Sequence, residues 1–129
     1  MLSGDLDLAD LPQAWGDGLE ALLGIRPPSD REGCLQDIHW YSGAFGYFPT
    51  YSLGAMAAAQ VFAAAREQLD DVEGQIEQGT FAPLVDWLRT NIHAKASSAS
   101  TDEILTAATG SGLRADAFKA HLRKRYLDS

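Results

Sequence analysis

The sequence predicts an all-α chain, and three observations carry that reading. Apolar residues recur at helical spacing in two places, Leu84-Leu88-Ile92 and Phe118-Leu122-Tyr126. A long alanine-rich run follows Pro49. Ser100-Thr101-Asp102-Glu103 has the form of a capping box, in which a serine and a glutamate three residues on satisfy each other's backbone N–H groups. No segment alternates apolar and polar residues with the period of two that a strand requires, and there is no internal repeat.

The elements follow in chain order. Leu11–Leu23 reads as a helix with Pro12 in its first turn and Gly24 followed by Pro27-Pro28 as its stop, weakened by Gly16 and Gly18. Residues 33–50 lack periodicity and read as irregular chain with short helical turns. Tyr51–Leu69 is strongly helical, with Pro49 at or before its start. Asp71–Gln78 is a short helix closed by Gly79. Pro83 to about Ala94 is half-buried, with Leu84, Leu88 and Ile92 on one stripe that Phe81 and Val85 widen. Ser100 opens a helix that ends at Gly110. The last runs from Asp116 to Leu127, with Arg123, Lys124 and Arg125 suited to the negative end of its dipole.

The 129 residues are enough for one ordinary domain, expected here as a single helical unit over 1–129. Ten Lys+Arg against 18 Asp+Glu give a net charge of −8. That balance argues against a nucleic-acid partner and against a polybasic membrane anchor. The lone Cys34 excludes a disulfide framework and a cysteine-rich zinc site. The N-terminus has no basic start followed by an apolar core, so no secretory signal is expected and the location is read as cytoplasmic. Ile38–Ala65 contains no Asp, Glu, Lys or Arg over 28 residues. Pro49, three glycines, Gln60 and many alanines make it too weakly apolar to span a membrane, so it reads as protein interior.

Charge is unevenly spread: −5 over residues 1–32, −1 over 33–69, −4 over 70–90 and +2 over 91–129. The second block is so poor in charge and so rich in aromatic residues and glycine that it must be covered on most sides. A chain of this length has little interior to offer, which points to something else covering it.

His93 and His121 read as surface or helix-end histidines, and Cys34 as a small buried hydrophobe. No His-Glu-x-x-His helix, P-loop or nucleophile elbow is present. The segment Gly33-Cys34-Leu35-Gln36-Asp37-Ile38-His39-Trp40, with Phe45-Gly46-Tyr47-Phe48-Pro49-Thr50-Tyr51 behind it, stands apart. It sets hydrogen-bonding side chains in an otherwise uncharged stretch. Its residues alone leave two readings open: a satisfied core network, or donors arranged round a reacting carbonyl.

The pattern Gly33-x-x-Gln36-Asp37-x-His39-Trp40 resembles the Gly-x-x-Gln-Asp-x-His-Trp motif of the carboxypeptidase Taq family of zinc metallopeptidases. Gly46-Tyr47-Phe48-Pro49-Thr50-Tyr51 is similar to that family's Gly-Tyr-Phe-Pro-Ser/Thr-Tyr stretch. The resemblance covers the whole chain. Leu11-Pro12-x-Ala14-Trp15 and Pro27-x-x-Asp30-x-x-Gly33 fit before the motif, and Gly79-x-Phe81-x-Pro83-Leu84 and Ala108-Thr109-Gly110 fit after it.

The resemblance implies an almost all-helical zinc carboxypeptidase that removes one C-terminal residue from a peptide. This chain would be the C-terminal portion of its catalytic domain, with the metal-binding N-terminal part absent. Zinc, or a similar divalent metal, would belong to the parent, with none expected here; the chain alone would be inactive. By analogy with related helical zinc peptidases, Tyr51 or Tyr47 would donate to the tetrahedral intermediate and His39 would bind the substrate backbone or oxyanion. Asp37 would orient His39 or a neighbour; Gln36 and Trp40 would shape the wall. Tyr47 and Tyr51 lie four apart, so on a helical turn they would share a face. The expected partners are a peptide substrate, the missing N-terminal part and a second copy in a homodimer. Two other readings remain: a non-catalytic acidic helical interaction module docking through residues 41–65, and a small complete enzyme using His39 and Asp37 as an acid–base pair.

Overall fold

The structure is a computed structural model describing residues 1, 3–40 and 42–128. It is 64% helical, with no strand among the described residues. The expected all-α class holds. The backbone divides into two compact units, Met1–Phe48 and Pro49–Ser129.

In the first unit a short 3-10 turn, Leu8–Asp10, leads into α1, Leu11–Leu23. Pro12 sits in the first turn, where its missing N–H costs nothing. Gly24 closes the helix at φ +69°, a left-handed position that lets its N–H reach the Glu20 carbonyl at 2.9 Å. Beyond it Arg26 folds back on α1, with Nε 2.9 Å from Glu20 and the guanidinium also on Asp17. Gly16 is buried under the Arg26 side chain, whose guanidinium end would have to shift to admit a Cβ there. Two 3-10 turns, Asp30–Glu32 and Cys34–Gln36, carry the chain into the motif. Cys34 is buried, as the sequence suggested.

The second unit holds five helices: α2 (Pro49–Gln68), α3 (Val72–Glu77), α4 (Ala82–Asn91), α5 (Thr101–Thr109) and α6 (Asp116–Tyr126). Its core joins Ala64 and Ala65 of α2 to Trp87 of α4 and Ala108 of α5, with Val61, Leu69, Leu84, Leu88 and Ile92 packed round them. Alanine at three of those four positions lets the helix backbones approach closely. Trp87 fills the space between and donates its indole N–H to Gln68 Oε1 at 2.9 Å. The buried Gln60 ties the α5–α6 connection to α2. Its amide nitrogen donates to Thr109 Oγ1 at 2.8 Å and to the Gly112 carbonyl at 3.0 Å, and its oxygen accepts from the Arg114 N–H at 2.9 Å.

Several expectations change. The stripe of α4 reaches the core through Leu84, Leu88 and Ile92, but Phe81 precedes the helix and is 53% exposed. The helix stops at Asn91, and the 3-10 turn His93–Lys95 follows. The stripe of α6 is covered only in part: Phe118 is half-buried, whereas Leu122 and Tyr126, with Leu127 beyond them, are exposed. The uncharged Ile38–Ala65 stretch is only partly interior. Ala64 is buried, while Ile38, Phe48 and Tyr51 are more than half exposed. No helix among the described residues is long and apolar enough to cross a membrane.

Candidate functional site

Within the first unit, Asp37 and His39 are held together by their two-residue spacing. The His39 backbone N–H donates to Asp37 Oδ1 at 2.9 Å, and His39 Nδ1 meets the same oxygen. Asp37 has extended backbone, which turns its carboxylate forward onto the residue two positions on. Both side chains are largely buried, at 17% exposure for His39 and 14% for Asp37. Burial pushes the Asp37 carboxyl up. Its bonds from the His39 backbone and ring, and the electrostatic attraction of His39, overcome that and hold it below the ordinary carboxylate value.

Aromatic rings fix the imidazole. Tyr47 stacks on His39 with centroids 5.5 Å apart and planes 22° from parallel, and Phe48 meets it edge-on at 5.3 Å and 87°. Gly46, at φ +80°, makes the turn that delivers these two rings. Asp37, His39 and Tyr47 are therefore brought together as the sequence suggested. Phe48 belongs with them, although no site reading had named it; the aromatic density of residues 45–51 was its signal.

The other candidates are placed differently. Trp40 packs against Trp15 of α1, at 5.9 Å, and Phe45, at 5.2 Å. Its buried indole nitrogen has no hydrogen-bond partner among the described residues. Gln36 is exposed and donates its amide to the Arg31 carbonyl, so it braces the loop ahead of the motif. Tyr51 lies in the first turn of α2, in the second unit, and is 58% exposed. α2 begins at Pro49, so Tyr47 lies ahead of it in the turn and not on the helix that carries Tyr51. The residue before a proline, here Phe48, is steered away from helical geometry, so the helix does not extend back over the turn. His93 and His121 are exposed, on the 3-10 turn after α4 and on α6.

Among the described residues, no three His, Cys, Asp or Glu side chains gather as a metal-holding group. His39 Nδ1 is committed to Asp37, and the remaining histidines stand on separate elements. The donor set of the described residues does not fit a resident metal.

Comparison with known proteins first gives the class. The fold superposes on metallopeptidases: Trypanosoma cruzi metallocarboxypeptidase 1 matches with a TM-score of 0.93 at 39% identity, covering 97% of this chain and 26% of that one. An M32 carboxypeptidase from Deinococcus radiodurans R1 matches with a TM-score of 0.91 at 36% identity, over 98% of this chain and 26% of that one. The family follows from a match across residues 1–126: the chain belongs to the carboxypeptidase Taq (M32) metallopeptidases. Thermostable carboxypeptidase 1 of Thermus thermophilus is 40% identical over 126 residues, and that of Pyrococcus furiosus 39% over 127. Each alignment takes in 98% of this chain and about a quarter of the relative, 25% and 26% respectively. The chain corresponds to the C-terminal portion of such proteins.

Proposed function

We propose that this chain is the C-terminal portion of a zinc carboxypeptidase that hydrolyses the last peptide bond of its substrate, and that it supplies one wall of the cleft. The observation that carries the reading is the Asp37–His39 pair under the Tyr47 ring, built from the family motif. The Asp37 carboxylate on Nδ1 holds the imidazole's angle, and His39 is assigned to the substrate's backbone or developing oxyanion. Tyr51 is assigned the hydroxyl that donates to the tetrahedral intermediate, with Tyr47 second. Both are more than half exposed, which suits side chains that meet a ligand. Trp40 and Gln36 shape the wall from behind, through Trp15 and the Arg31 loop.

The metal and its ligands belong to the part of the protein outside this chain, and a cytoplasmic location and a homodimer complete the reading. The chain by itself is assigned no hydrolytic activity. The test is a full-length enzyme carrying this chain as its C-terminal quarter. Tyr51→Phe lowers kcat by about 10²- to 10³-fold, the usual cost of one transition-state donor, with folding and zinc content unchanged. Tyr47→Phe gives the second-largest loss. Near-normal kcat in both returns the tyrosines to packing. It would then favour the runner-up, a non-catalytic interaction module, which the exposure of Ile38, Phe48 and Tyr51 supports.

A further inference from the structure

α6 is the one α-helix among the described residues that buries no residue at all. It is nonetheless apolar on two sides. Toward α2 it forms an open groove of about 450 Å³, lined by alanines and Phe62 together with His121, Lys124 and Arg125 of α6 and the Arg66–Glu73 ion pair. On its other flank Leu122, Tyr126 and Leu127 lie exposed beside Lys119 and Arg123.

The charges point the same way. Arg26, Arg66, Arg89 and Arg114 each have a carboxylate partner. Of the six cations without such a partner among the described residues, four, Lys119, Arg123, Lys124 and Arg125, lie on α6, the others being Arg31 and Lys95, in a chain whose acids outnumber its bases by 18 to 10. A favourable helix dipole accounts for cations in the last turn. It does not account for apolar residues left in water between them. A helix of this composition matches a partner that is acidic and presents apolar side chains. Relatives that align with this chain devote only about a quarter of their length to it, so the remaining polypeptide is the surface available to supply that partner.

We propose that α6 and its groove form the seam on which an acidic, apolar-faced helix from the rest of a full-length metallopeptidase docks. The proposal rests on the reading of this chain as a C-terminal portion. The test replaces the corresponding quarter of Thermus thermophilus thermostable carboxypeptidase 1, 40% identical, with this chain. The double substitution Lys124→Glu/Arg125→Glu is then made in the chimera and in the isolated chain. The isolated chain loses only the helix-dipole contribution and the contact of the Arg125 guanidinium with the Tyr126 ring, seen as a small drop in melting temperature. The chimera drops by several degrees more, and the excess shrinks as NaCl is raised from about 0.05 to 0.5 M, because that range shortens electrostatic reach from over 10 Å to a few Å.

Equal drops in both, with an active unsubstituted chimera, overturn the seam and leave the proposed function standing. An unsubstituted chimera that neither folds nor releases a terminal residue overturns the proposed function, and the seam with it. If light scattering shows the isolated chain associating, and the double substitution abolishes that, the occupant is a second copy and the seam as proposed is wrong.

Discussion

Asp37 concentrates the electrostatics of the candidate site. Its carboxyl is held below the ordinary value because the bonds and charge from His39 outweigh burial. The consequence has a definite sign. A carboxyl whose folded pKa lies below its unfolded value contributes stability that is fully present above the unfolded value, about pH 4, and lost as pH falls through the folded one. Asp37→Asn removes that dependence. The urea midpoint of the parent should therefore exceed that of the variant near neutral pH by more than it does at about pH 3. A difference that stays constant over that range would show that the pair does not couple to folding. The sequence made Asp37 and His39 legible because a two-residue spacing is a local matter. It could not show Phe48 on the imidazole or Trp15 on Trp40, since ring contacts depend on how Gly46 turns the chain and how α1 returns.

The helices were legible where caps are written in the sequence. Ser100 accepts from the Glu103 N–H, and Glu103 Oε2 accepts from the Ser100 N–H at 2.8 Å, so α5 starts where the capping box says. Gly110 ends it at φ +83°. Ser100→Ala should cost about 1 kcal/mol, measured by denaturant unfolding. The same box holds Glu103 below its ordinary value through the Ser100 hydroxyl and backbone, so this contribution also fades on acidification. Boundaries without a written cap moved: α4 ends at Asn91, ahead of the expected Ala94. The Gln60 clamp was not legible at all, because its partners lie some 50 residues away. Gln60→Leu keeps the volume but leaves the Arg114 N–H without its acceptor. A loss of about 1–3 kcal/mol is expected, together with faster amide exchange at Arg114.

At the scale of the whole molecule, what the chain lacks and what it leaves uncovered make one prediction. Hydrolysis by this class needs a metal held by several protein ligands. The described residues gather no such group, and the sequence has no His-Glu-x-x-His pair. The chain also leaves apolar side chains largely in water in each unit: Ile38 and Phe48 in the first, next in sequence to His39 and Tyr47, and Tyr51 and Leu53 at the start of α2 in the second. Apolar patches beyond a few hundred Å² seldom stay bare on monomers. The isolated chain should thus be folded and helical by circular dichroism, take up no stoichiometric zinc, release no terminal residue from a peptide, and scatter light as a species heavier than 13.9 kDa. Ile38→Asp, which places a charge on a side chain 69% exposed, should return it to a monomer without loss of helicity. A monomer from the outset would remove the self-association alone. Stoichiometric zinc with turnover would instead mean that this quarter-length chain assembles a metal site by itself, and would overturn its reading as one wall of a larger cleft.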